Sequence, residues 1–96
     1  MSSSNIIKLP KRFDYSANEE FIADIVSALE GKTHESRTIM LDCSNMDYID
    51  SAGIGLFVLA HKKAEAENSK ICVINLKASA REILLLANLQ KLIDIK

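Results

Sequence analysis

A serine with an acidic neighbour and two nearby glycines stands in the middle of the chain. The segment is Asp50-Ser51-Ala52-Gly53-Ile54-Gly55, and it follows a run of polar turn-forming residues. Ser51 has the residue type and the position of a helix N-cap. The two glycines leave the surface around its hydroxyl bare, because they carry no side chains. We therefore expect the Ser51 hydroxyl to be the functional group. A serine that only caps a helix, and so contributes about 1 kcal/mol to stability, would have the same pattern.

The residues around Ser51 disfavour enzyme chemistry. A hydrolase would need a Gly-x-Ser-x-Gly elbow and a histidine partner, whereas Ser51 lies in Asp50-Ser51-Ala52-Gly53 and no histidine has a position that ties it to Ser51. Gly53-Ile54-Gly55 lacks the third glycine and the lysine of a phosphate-binding fingerprint. A receiver domain would need an acidic pair after its first strand, and Leu9-Pro10-Lys11 supplies none. We therefore expect a protein that is not an enzyme.

The cysteines and histidines do not form a metal-binding pattern. Cys43 and Cys72 each lie at or within a strand-like run, and we expect them to be small buried side chains and not a disulfide. His34 lies in a polar loop and His61 in a helix. Neither histidine has a second ligand at a recognisable spacing. We expect no metal site and no cofactor.

Length and composition predict one compact domain over residues 1–96. Apolar residues make up 48% and charged residues 26% of the chain, which is ordinary for a folded domain and unlike a disordered one. The net charge of −1 and the scattered lysines give no basic patch for nucleic acid or an acidic membrane surface. The apolar runs are too short to span a bilayer, and residues 1–5 lack the pattern of a signal peptide. We therefore expect a cytoplasmic protein with no nucleic-acid or membrane partner.

Strand-like and helix-like segments alternate along the chain. Strands are predicted at Ile6–Leu9, Thr38–Leu41 and Ile71–Ile74. Helices are predicted from Ser16 or Asn18 to Gly31, from Ser51 to about Asn68, and from Ser79 to Asn88, with an apolar tail after the last one. Ser16 with Glu19 and Ser79 with Glu82 fit capping boxes.

This alternation predicts an α/β fold with a small, mostly parallel sheet and right-handed crossovers. Such sheets place their sites beyond the carboxyl ends of the strands, and Ser51 follows the central strand there. The first two turns of its helix are apolar around most of their circumference. A helix half sunk in a small core explains this, but an apolar residue beside Ser51 that stays exposed for a partner would give the same pattern. Ile54 and Leu56 are the candidates.

Several motifs resemble those of the STAS domain, the fold of bacterial anti-anti-sigma factors. Ile49-Asp50-Ser51-Ala52-Gly53-Ile54-Gly55-Leu56 has the family's pattern of an apolar residue, Asp-Ser, a small residue, Gly, an aliphatic residue and Gly. Arg12-Phe13-Asp14 is similar to the family's Gly-Arg-Leu-Asp turn, and Leu41-Asp42-Cys43-Ser44 is similar to its Leu-Asp-Leu-Ser strand end. Val73-Ile74-Asn75 and the closing segment 86–95 also match the family's pattern in residue type and in order along the chain. The resemblance covers nearly the whole chain.

The resemblance implies an anti-sigma factor antagonist that switches partners. Ser51 would be phosphorylated by an anti-sigma factor that is itself a serine kinase of the histidine-kinase-like ATPase type, and a serine phosphatase would remove the phosphate. The unphosphorylated protein would bind the kinase, and phosphorylation would release it. Ala52 replaces a second hydroxyl residue often found in the family, which removes any ambiguity about the acceptor. The implied partner-binding residues are Asp14, Asp50, Ser51, Ala52, Gly53, Ile54, Gly55 and Leu56.

The chain departs from the family pattern at two places. The family usually begins with an additional strand, for which Met1–Asn5 is short and polar. We therefore expect that first strand to be shortened or absent, which would leave a sheet edge open to pairing with another chain. Lys11 stands where the family has a turn glycine, a departure that affects only the shape of that turn.

A second function is compatible with the same resemblance. Some small STAS proteins are constitutive accessory subunits, for example of bacterial lipid-transport ATPase complexes. Those proteins often carry Thr in place of the switch serine and lack the second glycine, so Ser51 and Gly55 favour the switch. The resemblance leaves open the oligomeric state and the downstream output, which in some proteins of this type is biofilm formation and involves no sigma factor.

Overall fold

The computed structural model describes residues 6–31 and 38–96 of the chain. Its strands are β1 (Ile6–Lys8), β2 (Arg12–Phe13), β3 (Thr38–Asp42), β4 (Tyr48–Ile49), β5 (Lys70–Ile74) and β6 (Asp94–Ile95). Its helices are α1 (Asn18–Gly31), α2 (Ser51–Ala66) and α3 (Ala78–Leu86), with 3-10 helices at Tyr15–Ala17 and Leu89–Lys91. The predictions about the residues before Ile6 and about His34 lie outside the described residues.

A parallel four-stranded sheet with the order β1-β3-β5-β6 forms the centre of the fold. Its register places Ile6 opposite Met40, Met40 opposite Cys72 and Cys72 opposite Asp94. The strands are ordered in space as they are along the chain. Since crossovers between parallel strands are right-handed, the helices that connect them lie on the same face of the sheet. The predicted α/β class with a small parallel sheet is confirmed.

The hydrophobic core lies between this face of the sheet and the helices. Alternate residues of the two central strands are buried in it, namely Ile39, Leu41, Ile71 and Val73. The helices contribute Phe21 and Ile25 from α1, Leu56, Phe57, Ala60 and Ala64 from α2, and Ala80 and Leu84 from α3. The three helices thus share one core with the sheet.

A two-stranded parallel ribbon, β2 with β4, carries the chain into α2. Phe13 pairs with Ile49 in this ribbon, and both side chains are buried. The ring of Phe13 lies 5.0 Å, between centroids, from the rings of both Phe21 and Phe57. The ribbon is therefore anchored to α1 and α2 by aromatic packing, which is favourable at such separations.

The capping box predicted at Ser16 is wrong. Ser16 lies inside the 3-10 helix Tyr15–Ala17, whose N-cap is Asp14. The Asp14 carboxylate accepts hydrogen bonds from the backbone N–H of Ser16 at 2.9 Å and from its hydroxyl at 2.5 Å. Because Asp14 already starts the turn, α1 begins at Asn18. The helix ends at Gly31, as predicted.

The capping box predicted at Ser79 is also wrong. α3 begins at Ala78 after the N-cap residue Lys77, which makes no side-chain capping bond. The Lys77 ammonium group instead donates a hydrogen bond to the carboxylate of Asp47. The residue before α3 is therefore bonded to a residue distant in sequence and not to the helix itself. Asn88 takes the predicted left-handed conformation after the helix, with φ of 62°.

Cys43 and Cys72 are both buried, as predicted. Burial and the nearby Asp42 carboxylate raise the pKa of the Cys43 thiol to about 12, so this side chain stays protonated and behaves as a small apolar group. No helix in residues 6–31 or 38–96 is long and apolar enough to cross a membrane.

Asp42 links the carboxyl ends of β3 and β5. Its carboxylate accepts a hydrogen bond from the side-chain amide of Asn75 at 3.1 Å and another from the backbone N–H of Ser44 at 3.0 Å. These bonds, with that from Asn75 the largest contribution, lower the pKa of Asp42 from its ordinary value of 3.8. The ionised form of Asp42 is therefore favoured by the folded structure.

We expect the free energy of unfolding to fall in acid, partly through Asp42. Its folded-state pKa lies below 3.8, so its stabilising effect is fully present above that value and is lost as the pH falls through the folded-state pKa. The variant Asp42→Asn has no titratable group at this position. Urea unfolding at about pH 6 and about pH 3 should show a smaller loss of stability in the variant than in the wild type. Equal losses in the two proteins would contradict this account.

Candidate functional site

The first turn of α2 is capped by Asp50, and Ser51 is its first helical residue. The carboxylate of Asp50 accepts a hydrogen bond from the backbone N–H of Gly53 at 3.0 Å. The prediction that Ser51 is the N-cap is therefore wrong by one residue. Asp and Ser are equally good caps, and here the chain turns into the helix after Asp50. Ser51 is exposed, and no described residue forms a hydrogen bond with its hydroxyl.

The two glycines of the first turns have different surroundings. Gly53 is buried, and a Cβ atom there would lie 2.3 Å from the carbonyl oxygen of Phe13 and 2.9 Å from Cγ1 of Ile49. Gly55 is exposed, and a Cβ atom there would have nothing within 4 Å. Neither has a positive φ. The fold therefore needs a glycine at position 53, because only hydrogen fits, but not at position 55.

The outer side of the β2–β4 ribbon holds a compact ionic group. The guanidinium carbon of Arg12 lies 4.2 Å from the ring centroid of Tyr48, and its Nε donates to Asp14 at 2.7 Å. The hydrogen bonds from Ser16 and Arg12 lower the pKa of Asp14. Arg12 is paired with Tyr48 in the ribbon. The Asp14 carboxylate is bonded within its own segment, to Arg12 and to Ser16.

Asp47 holds the loop that precedes Ser51. Its carboxylate is bonded to the ammonium group of Lys77 and lies 3.6 Å from that of Lys11. The hydrogen bond from Lys77 is the largest cause of the lowered pKa of Asp47. Segments before β2, before β4 and before α3 therefore meet at one carboxylate. These contacts connect the three segments four residues before Ser51.

The expectation that Leu56 stays exposed beside Ser51 is wrong. Leu56 is 5% exposed and belongs to the core, because it lies on the side of α2 that faces the sheet. Ile54 is half-buried and packs against the edge of that core. Ala52 is also half-buried. Of the two apolar candidates, only Ile54 is accessible to a partner.

The structure divides the sequence-predicted site residues into two groups. Asp50, Ser51, Ala52, Ile54 and Gly55 lie at the accessible start of α2, whereas Gly53 and Leu56 support it from inside. An exposed apolar side chain that the sequence analysis missed is Leu59, which follows Ser51 and Gly55 at intervals of four residues. That interval places the three residues along one side of a helix, so the helical period was the available signal.

The arrangement suits acceptance of a charged group at Ser51. A helix N-terminus presents N–H donors and the positive end of the helix dipole, which favour an anion. No group of three or more His, Cys, Asp and Glu side chains within residues 6–31 and 38–96 could hold a metal ion. The group at this site that is available for chemistry is therefore the Ser51 hydroxyl at the start of the helix.

Comparison with known proteins gives consistent sequence matches. The family model of the STAS domain matches residues 3–96. A STAS-domain containing protein of Pseudomonas aeruginosa (strain UCBPP-PA14) is 30% identical over 89 residues, which are 93% of this chain and 84% of that protein.

Solved structures match the fold over nearly the whole chain. TM1081 of Thermotoga maritima superposes with a TM-score of 0.76 at 17% identity, covering 99% of this chain and 81% of that one. The anti-sigma factor antagonist SpoIIAA in its unphosphorylated form gives a TM-score of 0.69 at 21% identity, covering 100% and 83%. The phosphorylated form of SpoIIAA, a Bacillus cell fate determinant, gives 0.69 at 22% identity, covering 100% and 86%. At these identities the likeness concerns the fold.

Asp50 and Ser51 should differ in their contribution to stability. Asp50→Ala removes the hydrogen bond to the Gly53 N–H and should lower the free energy of unfolding by about 1 kcal/mol, as is typical for a lost N-cap. Ser51→Ala removes no hydrogen bond to a described residue and should change it by less than about 0.5 kcal/mol. Urea unfolding measures both. A larger loss for Ser51→Ala than for Asp50→Ala would show that Ser51 is the structural cap.

Gly53 and Gly55 form a matched pair for alanine substitution. Gly53→Ala forces a methyl group against the Phe13 carbonyl and should destabilise the protein by about 1–3 kcal/mol or more, as overpacking does. Gly55→Ala places a better helix former in open space and should stabilise it by up to about 1 kcal/mol. Thermal unfolding of both variants gives the two signs. Equal effects would contradict the difference in their surroundings.

Proposed function

Because this chain belongs to the STAS domain family, we propose that it is a non-enzymatic regulatory protein of the anti-sigma factor antagonist type. It binds a protein partner while the Ser51 hydroxyl is free, and it is released when Ser51 is phosphorylated. The observation that carries this proposal is the position of Ser51, which is exposed at the first residue of α2 with no hydrogen bond from its hydroxyl to a described residue. Asp50 caps the helix, so Ser51 is free to be modified.

The proposed partner is an anti-sigma factor that is also a serine kinase of the histidine-kinase-like ATPase type, with a serine phosphatase acting in reverse. SpoIIAA, which shares this fold, is an anti-sigma factor antagonist with an unphosphorylated and a phosphorylated form. Since such a kinase takes its phosphoryl group from ATP, we place the protein in the cytoplasm. We propose no cofactor and no nucleic-acid or membrane partner.

The proposed docking surface is the accessible start of α2. It consists of Asp50, Ser51, Ala52, Ile54 and Gly55, and the buried residues Gly53 and Leu56 support it from inside. Asp14 belongs to it as the residue that caps the turn at Ser16. Gly55 supports this assignment, because a glycine inside a helix costs about 1 kcal/mol relative to alanine and nothing around Gly55 requires one. A partner that approaches the helix backbone closely would explain why the side chain is absent.

The fold should tolerate a phosphate on Ser51. The helix N-terminus favours an anion at an exposed site by about 0.3–1 kcal/mol, and repulsion from nearby carboxylates opposes it by a similar amount. Asp14 and Asp47 are paired with cations, which reduces that repulsion.

The interface with a partner should not tolerate the phosphate. A phosphoserine carries about −2 charge, and burying it under an apolar partner surface costs at least several kcal/mol in lost hydration. Each 1.4 kcal/mol corresponds to about a tenfold change in affinity, so one phosphate is sufficient to abolish a micromolar contact. The modification therefore acts on binding and not on folding.

Two substitutions at Ser51 test the switch. Ser51→Ala should give a folded protein that binds the kinase partner constitutively and takes up no phosphate, because the acceptor oxygen is gone. Ser51→Asp should give a folded protein whose affinity is lower by about tenfold or more, because a carboxylate must lose its water on binding. Calorimetric titration with the partner and mass spectrometry of phosphopeptides measure the two effects. Wild-type affinity in Ser51→Asp would refute the desolvation account, and phosphate on Ser51→Ala would place the acceptor elsewhere.

A further inference from the structure

One side of α2 is exposed from the first turn of the helix to the last. Ser51, Gly55, Leu59, Lys62 and Ala66 are all exposed, and their spacing of three or four residues places them in one row. Leu59 is 39% exposed. A Cβ atom on Gly55 would have nothing within 4 Å. The row therefore carries one projecting apolar side chain, Leu59, and one bare stretch of backbone, at Gly55.

A cavity of about 340 Å³ adjoins this row at the end of α2. Among the residues that the structure describes, its walls are formed by α1 and by the end of α2, namely Val26, Leu29, Glu30, Lys63, Ala66 and Glu67. Val26 and Leu29 are half-buried. Ala66 belongs both to the exposed row and to the wall, so the cavity lies beside the row, on the flank of α2 against which α1 packs.

Tyr15 lies on the same flank at the other end of α2. Its 3-10 helix, Tyr15–Ala17, contacts α2 and leads directly into α1. Two residues earlier, the carbonyl oxygen of Phe13 lies against Gly53 in the first turn of α2. The Tyr15 side chain is 73% exposed. The α1 flank of α2 thus has an exposed aromatic side chain at its start and a cavity with apolar walls at its end.

These features are complementary to themselves under a two-fold rotation. In an antiparallel pair of α2 helices related by an axis at the level of Phe57, Leu59 of each copy lies opposite Gly55 of the other, because both positions are equally far from residue 57. Such an axis lies in the plane of contact and leaves the α1 flanks facing each other. Tyr15 of each copy then faces the cavity of the other copy.

The charges agree with the antiparallel direction. Positions 51–60 carry no charged residue, and the nearest charges in sequence are Asp50 before this stretch and Lys62 and Lys63 after it. An antiparallel pair brings the acidic end of one copy to the basic end of the other, whereas a parallel pair would bring like charges together.

We infer that this surface, which we call the α2 face and define by Tyr15, Gly55, Leu59 and the cavity, joins two copies of the chain in a symmetric dimer. A tyrosine can bury about 150–250 Å², and the wall that it covers loses a similar area. Two such contacts, with the pair of α2 helices between them, reach the roughly 1,200 Å² of total surface that stable interfaces bury. Since Ser51 is in the same row, this dimer and the partner proposed above exclude each other, but the pairing is argued without that partner.

Leu59→Lys tests the dimer, with Leu85→Lys as the matched control. Leu59 is 39% and Leu85 40% exposed, and Leu85 lies in α3, outside the α2 face. Sedimentation equilibrium of the purified full chain, from about 1 to about 500 μM, measures the dissociation constant of the dimer. We expect Leu59→Lys to raise it by about tenfold or more, because a charge would be buried opposite Gly55. Tyr15→Ala should raise it as well, and Leu85→Lys should match the wild type.

An exchange of the two facing residues tests the register. Gly55→Leu alone should weaken the dimer, because it sets a leucine against Leu59 of the other copy. The double variant with Gly55→Leu and Leu59→Gly restores one leucine opposite one glycine and should recover most of the lost affinity. A double variant that dimerises no better than Gly55→Leu would overturn the pairing.

The sedimentation results also separate this inference from the proposed function. A wild-type chain that stays monomeric up to about 500 μM would overturn the dimer, while phosphorylation of Ser51 would be unaffected. A dimer that neither Leu59→Lys nor Tyr15→Ala weakens would lie on another face and would overturn it too, as would an equal loss in Leu85→Lys. Thermal unfolding of each variant verifies that it is folded.

Discussion

The first turn of α2 packs directly against the backbone of the β2 segment, with no side chain between Gly53 and the carbonyl oxygen of Phe13. This close approach is possible only because position 53 has no Cβ. The buried Phe13 ring packs edge-to-face against Phe21 of α1 and at a tilt against Phe57 of α2, which holds the other side of the contact. Asp50, the residue immediately before α2, then caps the helix. Together these contacts fix the helix start without using the Ser51 side chain.

Structural stability and the proposed regulation therefore depend on different residues in the same motif. Asp50 and Gly53 hold the turn, while Ser51 and Gly55 are exposed and make no contact that the fold requires. A charge added to Ser51 meets the favourable end of a helix dipole, and the cations nearby are already occupied by Asp14 and Asp47. The free energy of the added charge is then small in the free protein and large only where a partner removes water from it.

The sequence predicted the elements and their order well because these depend on hydrophobic periodicity. The strands at Thr38–Asp42 and Lys70–Ile74 and the three helices follow from it. The caps were less predictable. Ser16 and Ser79 have capping-box patterns, but Asp14 caps the 3-10 helix that contains Ser16, and α3 begins at Ala78 without a side-chain cap.

The exposed apolar residues were harder still to predict. Leu56 and Leu59 are both apolar residues of the same helix, and only the direction of the sheet decides which one is buried. Leu86 gave no signal as an exposed residue, because its apolar run reads as core. Which apolar residues are buried depends on contacts between distant segments, and no short window of sequence encodes those contacts.

The most direct test is to compare the amide NMR spectrum and the partner affinity of one sample before and after stoichiometric phosphorylation of Ser51. We expect chemical-shift changes confined to the first turn of α2 and the adjoining β2–β4 ribbon, together with loss of measurable partner binding. Shift changes extending through β3 and β5 would show that the phosphate acts on the fold. An unchanged affinity would show that Ser51 is not part of the interface.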